Sequence, residues 1–455
     1  MNTLFPFIRR HKLAIVLLLT IVVRLAALFV LRDTLNFERE GNTIHGSEAY
    51  DAYAINLLAT GIYGRAPGIP DASIPPLYSY ALAAVYGVFG RGFVQVALFH
   101  IALDVFSVAL LFAISRRLFA GEQGEWIGFW AGIFTACYPY LVFQNLTLID
   151  TGFWMLLLHL FIYLMIVLRD QPALNRHTVF ISVGAGLALG AGTITRPITP
   201  PLALLLALWF LFRLSFWQTF ARLLIVAVIS VAVVGVWIVR NFIELNAFIP
   251  MTTTSGANFW QGNSELTIPV FQAGYDVQWT APEGVPSSTT DRAADGMRFT
   301  KAFEFLRGNP DKLPLLWWTK FLIHWDPRIT PLYNPRPNER WQLDNGILKI
   351  VQSEDSIPGV TSANVSYNGG LLDTIGRPLH LVYFGGLLLL ALMSIPLTWR
   401  LWHQVSLLWL VQISMTLIYV IFHPSTRYRS PSDPLLFVMS AATVVLLWSR
   451  WRSRA

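Results

Sequence analysis

Charged residues are scarce in this sequence: Asp, Glu, Lys and Arg make up 13% of its 455 residues, whereas soluble domains usually carry about 25%. Hydrophobic residues make up 55% and aromatic residues 14%. A water-soluble fold cannot hide that much apolar surface, so the composition excludes an ordinary soluble domain. It indicates a membrane protein, with lipid as the solvent for much of the chain.

Cysteine is nearly absent as well, since Cys137 is the single one in the sequence. One cysteine excludes an internal disulfide and any cysteine-based zinc site. Internal repeats and low-complexity tracts are also lacking, although pores and transporters often show repeated halves. The formal charge of +7 would fit nucleic acid, but the cations form short clusters between apolar runs. The sequence therefore predicts no nucleic-acid partner.

Ten apolar runs are long enough to be membrane spans, because a bilayer core of about 30 Å needs roughly 20 mostly apolar residues in a helix. The first run has basic flanks and no small-residue cleavage site, so we expect a retained span, interrupted by Arg24, rather than a signal peptide. An even number of spans puts both chain ends on one side. The runs lie near 13–31, 93–114, 126–143, 150–168, 178–195, 198–213, 222–239, 380–398, 404–422 and 433–449.

Basic residues occupy alternate connections between these runs, and short basic connections are cytoplasmic by the positive-inside rule. They are Arg9, Arg10, Lys12, Arg116, Arg117, Arg169, Arg176, Arg213, Arg222, Arg400, Arg450, Arg452 and Arg454. Both termini are then expected in the cytoplasm, and two long connections face outward. The prediction is an all-α polytopic inner-membrane protein in three parts: residues 1–239 with a catalytic first outer loop (32–92), an outer region 240–379, and C-terminal helices 380–455.

The two outward connections are predicted to contain helices. DAYAINLLATG, ending at Gly61, and IPPLYSYALAAVYGVFG are shorter or more polar than spans, so we expect them to lie along the outer interface. In the second connection, DGMRFTKAFEFLRGNP is predicted to be helical up to Gly308. LPLLWWTKFLIHW follows, with tryptophans that suit the interfacial belt.

Three carboxylates stand at outward ends of the predicted spans. Glu48 and Asp51, in HGSEAYDAYAINLLATG, are one helical turn apart, and Asp150 lies where the fourth span starts. A carboxylate can take a proton from an acceptor hydroxyl or stabilise charge at a sugar carbon. The simpler alternatives are a solvated acid at a helix start for Glu48, a hydrogen bond within the loop for Asp51, and a helix cap for Asp150.

Arginines are predicted on the same outer side. Arg196 lies in the turn TITRPITPP, and HPSTRYRSPSDP places Arg427, Tyr428 and Arg429 before the last span. Guanidinium groups bind phosphate oxygens in bidentate fashion, so acids and arginines together would suit a lipid-phosphate-linked sugar donor. An anion transporter would use the same residue types, and the arginines could equally serve as anchors to lipid head groups.

SEAYDAYAINLLATG, IPPLYSYALAAVYGVFG, SRRLF, TRPIT, RNFIELNAFIPMTTTSGANFWQGN and RYRSPSDPLL occur in this order in the sequence. Together they resemble the polytopic glycosyltransferases of the GT-C fold, in the branch of protein O-mannosyltransferases and lipid A aminoarabinose transferases. The resemblance implies a polyprenyl-phosphate-linked sugar as donor, an acceptor glycan, lipid or protein, and an extracytoplasmic active site. It implies no nucleotide sugar, in agreement with the lack of a Rossmann-type glycine motif.

The resemblance also implies roles for individual residues. The family's catalytic acid pair falls on Ser47 and Glu48, so Glu48 is the first choice for the catalytic acid, with Asp51 second. Asp150 matches an acid near the donor, which would orient the donor or an optional divalent cation. Arg196, with the Arg427/Arg429 pair around Tyr428, matches positions that hold the donor phosphate. Two other functions remain open: a lipid-linked saccharide flippase without bond chemistry, and a non-catalytic assembly partner.

Two ionisable residues, His100 and Asp104, lie four positions apart inside the second predicted span. Ionisable groups inside a membrane are costly and often functional. We expect these two to hydrogen-bond to each other and so to fix helix packing. Arg24 is expected to reach outward or to pair with an acid.

Overall fold

The computed structural model describes residues 4–35, 38–39, 43–44, 48–277, 280–286, 288, 290–331, 339–344, 347–352 and 372–452. The architecture is all-α and polytopic, as predicted. The helices are α1 (Leu4–Leu35), α2 (Glu48–Thr60), α3 (Leu77–Phe89), α4 (Phe93–Leu118), α5 (Gly121–Ala136), α6 (Pro139–Asn145), α7 (Thr151–Arg169), α8 (Arg176–Thr193), α9 (Thr199–Leu211), α10 (Phe216–Leu245), α11 (Ser255–Gln261), α12 (Thr267–Gln272), α13 (Arg292–Gly308), α14 (Leu313–Trp325), α15 (Arg377–Leu397), α16 (Trp402–Ile421), α17 (Thr426–Arg429) and α18 (Asp433–Arg452).

Strands are confined, in the described part of the chain, to two antiparallel pairs. The first pairs β1 (Glu38–Arg39) with β2 (Thr43–Ile44), and the second pairs β3 (Glu339–Asp344) with β4 (Ile347–Gln352). Short turns of 3₁₀ helix lie at Pro310–Lys312 and Trp399–Leu401, and a π-helical turn lies at Leu372–Gly376.

Each of the ten predicted spans coincides with a helix, but not all ten are long and apolar enough to cross a membrane. Among the described residues, seven helices are: α1, α4, α7, α10, α15, α16 and α18. The α5–α6 pair, bent by 60°, makes an eighth if it is one span. α8 begins with two polar residues, Arg176 and His177, and the 13 residues of α9 span only about 20 Å. Of the ten predicted spans, seven or eight are therefore helices long and apolar enough to cross a membrane.

Two glycines let α8 pack closely on α10. A Cβ added at Gly186 would lie 2.7 Å from the Val226 carbonyl oxygen, and one added at Gly190 would lie 2.7 Å from the Val233 Cβ. Glycines four residues apart share one face of a helix, and they allow two backbones to approach where any side chain would intervene. This contact fixes the end of α8, from which the turn that carries Arg196 continues.

The bend between α5 and α6 is held by a buried arginine of α1. Arg24 donates to the Ala136 carbonyl oxygen, where α5 ends, and more weakly to that of Thr135 at 3.5 Å. Its Nε also lies 2.8 Å from a carboxylate oxygen of Asp104, and both side chains of this ion pair are almost fully buried. Pro139 begins α6, which suits a new helix start because proline has no N–H to leave unpaired. The expected pairing of Arg24 with an acid is confirmed.

The predicted hydrogen bond between His100 and Asp104 is wrong. His100 Nε2 lies 2.7 Å from the Tyr78 hydroxyl, and its Nδ1 lies 3.0 Å from the Asn145 carbonyl oxygen. Asp104 instead accepts from Arg24 and, at 3.2 Å, from the Asn145 amide. Both residues nevertheless hold helices together, because their bonds join α4 to α1, α3 and α6.

The two long connections, near 32–92 and 240–379, pack on each other. α2 and α3 are the helices predicted in the first connection, and Gly61 follows α2 with a φ of 74°. In the second, α13 ends at Gly308 as predicted, and α14 follows. Arg240 donates to the Asp71 carbonyl oxygen at 2.8 Å, and the Thr253 amide donates to the Ala72 carbonyl oxygen at 3.0 Å. The second connection thereby fixes the first.

Candidate functional site

The site is built on an ion pair between Asp150 and Arg196. Asp150 occupies the N-cap position of α7, but its carboxylate makes no capping bond. It accepts instead from Arg196 Nε at 2.7 Å and from Arg196 Nη2 at 2.8 Å. The two side chains are 4% and 8% exposed. Asp150 therefore stands at a helix-cap position, but its carboxylate is the ion-pair partner of a buried guanidinium and caps nothing.

Neighbouring residues hold Arg196 in place. Its Nη2 also donates to the Thr151 hydroxyl at 3.2 Å, and its Cζ lies 5.4 Å from the centre of the Trp154 ring. The Trp154 indole donates to Thr199 Oγ1 at 2.9 Å, and that hydroxyl donates to the Arg196 carbonyl oxygen at 2.7 Å. Side chain and backbone of Arg196 are therefore both fixed against α7.

Arg427 brings a second guanidinium to the same carboxylate. It lies on α17, where the Ser425 hydroxyl accepts from the Tyr428 amide at 3.3 Å as the helix cap. Arg427 Nη2 is 3.8 Å from Asp150 Oδ1, and its side chain is 32% exposed. Arg196 is enclosed, so Arg427 is the arginine of this cluster that faces an opening.

The cluster of Asp150, Arg196 and Arg427 carries one negative and two positive charges. Burial alone would raise the pKa of Asp150, but the ion pair and hydrogen bonds with Arg196, helped by Arg427, hold the pKa below its usual value. The carboxylate is therefore ionised at neutral pH, and one positive charge is left over. Arg196 Nη1 and Arg427 Nε are buried and have no hydrogen-bond partner among the described residues. Such donors are costly unless a ligand or water accepts from them.

Four buried or half-buried tyrosines, which we call the tyrosine cluster, lie within electrostatic range of these charges, and the Arg427 Cζ is 5.7 Å from the centre of the Tyr428 ring. The charges of Arg196 and Arg427 act on the hydroxyls of all four, which are Tyr50, Tyr140, Tyr419 and Tyr428. Burial, followed by the Asp150 carboxylate, raises the pKa of the Tyr50 hydroxyl, so this phenol is neutral. Tyr50 lies on α2, so α2 contributes one residue to the tyrosine cluster. The rings of Tyr419 and Tyr428 stack with their centres 5.1 Å apart.

The structure brings together Asp150, Arg196, Arg427 and Tyr428 of the predicted site residues. Asp51 has other partners: it accepts from Arg91 Nη2 at 2.6 Å and from the Tyr86 hydroxyl at 2.8 Å. Glu48 is the first residue of α2, and its side chain lies outside the described residues. Its backbone stands two positions before Tyr50, which does reach the cluster.

Arg429 also has partners of its own. Its Nε lies 3.2 Å from Asp433, and its Nη1 donates to the carbonyl oxygens of His324 and Asp326, each at 2.9 Å. Its guanidinium stacks 3.7 Å from the centre of the Phe384 ring, and the side chain is fully buried. These contacts give Arg429 a packing role between α14, α15 and α18.

Several residues at the site are missing from the sequence-based prediction. His423 Nε2 lies 2.6 Å from Asp276 Oδ1, both side chains are buried, and the Asp276 charge acts on the Tyr428 hydroxyl. Lys320 donates to Asn263 Oδ1 at 2.9 Å and to the Ile421 carbonyl oxygen at 3.2 Å. These bonds attach the 240–379 connection to the segment just before Arg427. A sequence signal exists for His423 alone, since it opens the motif HPSTRYR.

A metal site does not appear in the described part of the chain, where no group of three or more His, Cys, Asp or Glu side chains is placed to hold an ion. Asp150, which the resemblance offered for an optional divalent cation, has both oxygens bonded to Arg196. In this arrangement the Asp150 carboxylate is the counter-ion of the Arg196 guanidinium.

Comparison with known proteins gives structural matches alone. No family model matches the sequence, and no curated protein matches it significantly. Apo oligosaccharyltransferase AglB from Archaeoglobus fulgidus superposes with a TM-score of 0.56 at 11% identity, over 100% of this chain and 52% of that one. Its complex with an inhibitory peptide and a dolichol-phosphate gives 0.53 at 11% identity, over 98% and 52%. The chain thus spans about half the length of the AglB chain.

Two further solved structures match with lower scores. ArnT from Cupriavidus metallidurans, bound to undecaprenyl phosphate, has a TM-score of 0.42 at 14% identity, over 94% of this chain and 77% of that one. The S. cerevisiae O-mannosyltransferase Pmt1-Pmt2 complex, bound to the sugar donor, has 0.40 at 16% identity, over 57% and 36%. The two AglB superpositions support the fold, since their TM-scores are above 0.5, and their identity of 11% carries the fold and not the chemistry. The chain has the GT-C fold that its sequence resembles.

Proposed function

We propose that this protein is a membrane glycosyltransferase that moves a sugar from a polyprenyl-phosphate donor to an acceptor on the extracytoplasmic side. The observation that carries the proposal is the cluster of Asp150, Arg196 and Arg427. Its surplus positive charge and its two unpartnered guanidinium nitrogens are what a phosphate oxygen would satisfy. The AglB complex supports the idea that this fold accepts a lipid phosphate, since that protein was solved with dolichol-phosphate.

The charge count favours a monophosphate donor. A sugar joined to a polyprenol through one phosphate is a phosphodiester with one negative charge, which would neutralise the cluster. A diphosphate carries at least two negative charges and would leave one of them without a counter-ion in a largely buried site. Arg427 is the more exposed of the two arginines, so it would meet the incoming phosphate first and close against it.

The reaction is a single displacement at the anomeric carbon. The acceptor hydroxyl oxygen forms a bond to that carbon while the bond from the carbon to the phosphate oxygen breaks. The bonding electrons leave with polyprenyl phosphate, whose growing charge Arg196 and Arg427 stabilise. The hydroxyl proton passes to Glu48 as general base. Tyr50, two residues further along α2, supports this role because the charges of both arginines act on its hydroxyl.

The orientation of the chain follows from the two ends of α7. Asp150 lies at its N-terminal end, and Arg169 lies at the other, about 28 Å away along the axis. The basic residues Arg9 and Lys12 pair with Glu122 and Glu125 where α1 and α5 begin. Because short basic segments stay in the cytoplasm, the Asp150 end would face outward, with both termini inside.

Sugar transfer is tested with purified protein in nanodiscs. The donors are a hexose or pentose joined to a short polyprenol through one phosphate or through two, and acceptors come from membrane extracts. We expect release of polyprenyl phosphate and a glycosylated product from the monophosphate donor. Arg427→Met and Glu48→Gln should each lower turnover at least 100-fold. Arg9→Met, at the other end of the bundle and 60% exposed, is the matched control and should leave turnover unchanged.

The outcomes separate the competing functions. Wild-type turnover in Glu48→Gln would remove Glu48 as the base while leaving glycosyl transfer in place. Equal use of the diphosphate donor would contradict the charge argument. Passage of labelled donor across a liposome membrane without product would identify a flippase and end the proposal.

A further inference from the structure

Arg427 is held less firmly by its own side chain than Arg196 is. Arg196 makes two hydrogen bonds to Asp150, at 2.7 and 2.8 Å. The ion pair of Arg427 with the same carboxylate is 3.8 Å long, which is too long for a hydrogen bond. Arg427 Nε is buried and has no hydrogen-bond partner among the described residues. The position of this guanidinium therefore depends on the backbone that carries it.

Residues 421–426, which we call the approach segment, lead from the end of α16 to Arg427. Ile421 is the last residue of α16, and the last carbonyl groups of a helix lack a partner within it. The Ile421 carbonyl oxygen accepts from the Asn263 amide at 2.9 Å and from Lys320 Nζ at 3.2 Å. Lys320 also donates to Asn263 Oδ1 at 2.9 Å, and both side chains are buried. The start of the approach segment is thus bonded to two donors that hold each other.

Two further contacts fix the rest of the approach segment. His423 Nε2 lies 2.6 Å from Asp276 Oδ1, a short hydrogen bond between two buried side chains. The Thr426 amide donates to the Thr330 carbonyl oxygen at 2.9 Å, and the Thr330 amide donates to Thr426 Oγ1 at 2.8 Å. The approach segment is therefore bonded at its beginning, its middle and its end.

All these partners of the approach segment belong to the 240–379 connection, which lies against it closely. Asp276 is fixed in turn, because its carbonyl oxygen accepts from the Trp341 indole at 2.6 Å. At Gly262 an added Cβ would collide with the Phe422 carbonyl oxygen, so the two backbones are in contact there. Buried polar groups are costly to separate from their partners. The connection therefore sets the path of the chain that leads to α17.

We infer that Asp276 and Lys320 are positioning residues for the donor, because they hold Arg427 where it meets the donor phosphate. This inference rests on the proposed function, since it takes Arg427 to bind that phosphate. Each of the two acts through another residue: Asp276 through His423, and Lys320 through the Ile421 carbonyl oxygen. Loss of either lets the approach segment move, and the guanidinium then spends less time against the phosphate.

The test measures the affinity of farnesyl phosphate for the purified protein in nanodiscs, by displacement of a fluorescent farnesyl phosphate. Asp276→Ala and Lys320→Met should each weaken binding about three- to ten-fold, the effect of one lost hydrogen bond. Asp276→Ala removes a negative charge, which by charge alone would strengthen the binding of an anion. Weaker binding in this variant therefore identifies a loss of position. Lys320→Met keeps the length of the side chain, so the inference remains testable if Asp276→Ala does not fold.

A positioning role predicts that both losses depend on Arg427. Arg427→Met should weaken binding of farnesyl phosphate at least ten-fold. In that background, Asp276→Ala and Lys320→Met should each weaken binding less than two-fold further, because the guanidinium that they position is gone. Residues with a merely structural role would lower the affinity by the same factor in both backgrounds, and that result would overturn the inference.

Two more variants serve as controls. Asp276→Asn keeps an oxygen that can accept from His423 Nε2, so its loss of affinity should be smaller than that of Asp276→Ala. Asp295→Ala removes another buried carboxylate of the same connection, which accepts from the Gly256 and Ala257 amides of α11 at 2.8 and 3.1 Å. It should change the affinity less than two-fold. A loss in Asp295→Ala equal to that in Asp276→Ala would indicate a general disturbance and would contradict positioning.

Hydrogen exchange reports on the approach segment without any ligand. The Thr426 amide is bonded to the Thr330 carbonyl oxygen, so peptides that contain Thr426 should exchange faster in Asp276→Ala and Lys320→Met than in the wild type. Wild-type affinity for farnesyl phosphate in both variants would overturn the inference, whatever the exchange rates.

The same measurements distinguish failure of this inference from failure of the proposed function. If Arg427→Met weakens binding while Asp276→Ala and Lys320→Met do not, the inference alone fails. If farnesyl phosphate binds through Arg427 but no donor yields product, glycosyl transfer is refuted and the positioning role stands. If Arg427→Met binds farnesyl phosphate as the wild type does, the assignment of Arg427 to the phosphate fails, and the inference fails with it.

Discussion

The buried pair of Asp150 and Arg196 predicts a large coupling energy. Removing Asp150 leaves Arg196 without an acid partner, and removing Arg196 leaves Asp150 with only the longer contact to Arg427, at 3.8 Å. Asp150→Asn removes the negative charge, and Arg196→Met removes the positive charge at similar length. Loss of one partner of a buried ion pair costs about 3–5 kcal/mol of unfolding free energy. The two hydrogen bonds at 2.7 and 2.8 Å give a consistent estimate, since a charge-assisted bond contributes roughly 1.5–3 kcal/mol.

Independent residues would show additive losses, about 6–10 kcal/mol in the double variant. We expect the double variant to lose about 3–5 kcal/mol instead, because neither member of the pair then remains, and the loss that is left includes the contact of Arg427 with Asp150. The coupling energy should therefore be roughly 3 kcal/mol or more. Unfolding is followed by tryptophan fluorescence in mixed micelles, where Trp154, 5.4 Å from the Arg196 guanidinium, reports on the site directly.

A surface pair provides the control for this cycle. Arg213 pairs with Asp170, and their side chains are 56% and 33% exposed. Exposed pairs contribute about 0–1 kcal/mol, so Asp170→Asn should be nearly neutral. Additive losses for Asp150→Asn and Arg196→Met, or a loss below 1 kcal/mol in either single variant, would refute the view of a mutually dependent buried pair.

Three further predictions test other parts of the molecule. Burial lowers the pKa of Lys320 from its ordinary value of 10.5 to about 7, so between these pH values the unfolded chain binds the proton more tightly than the folded protein does. The free energy of unfolding should therefore rise with pH in this range, by up to about 1.4 kcal/mol per pH unit. Lys320→Met should abolish that slope in unfolding curves at pH 7–9. Gly190→Ala puts a Cβ 2.7 Å from a valine Cβ on α10 and should cost about 1–3 kcal/mol in thermal unfolding, whereas Gly235→Ala, with nothing within 4 Å, should not destabilise. Asp51→Asn and Arg91→Met each remove one member of the same ion pair, so steady-state assays should show equal losses of turnover in the two variants. A loss of turnover at least ten-fold greater in Asp51→Asn than in Arg91→Met would identify Asp51 as a catalytic group.

The helices could be predicted because hydropathy is a local property of the chain. Every apolar run became a helix, and Gly61 and Gly308 mark the ends of α2 and α13 as predicted. The spanning count was less predictable, because α8 and α9 are held by neighbours rather than by their own length and apolarity. The close approach of Gly190 to α10 is a tertiary contact that no window of sequence reports.

Side-chain partners were harder to predict, since each joins distant parts of the chain. Asp150 and Arg196 are 46 residues apart, and Asp276 and His423 are 147 apart. Arg427 and Arg429 have different acid partners for a local reason, because the side chains of residues two apart on a helix do not share a face. On α17 this sends one guanidinium to Asp150 and the other to Asp433.

The partners of Arg24 change what its position in the sequence means. Arg24 is a charged residue in the middle of an apolar run, where a charge is expected to destabilise a membrane helix. The last carbonyl groups of a helix have no partner within the helix, and the Arg24 guanidinium donates to the carbonyl oxygen of Ala136, the last residue of α5. A chain can thus change direction within lipid at the expense of one cation, provided that an acid such as Asp104 accompanies it. Arg24→Leu would look conservative by hydropathy, yet it would leave the buried Asp104 carboxylate without its cation and the Ala136 carbonyl oxygen without its side-chain donor.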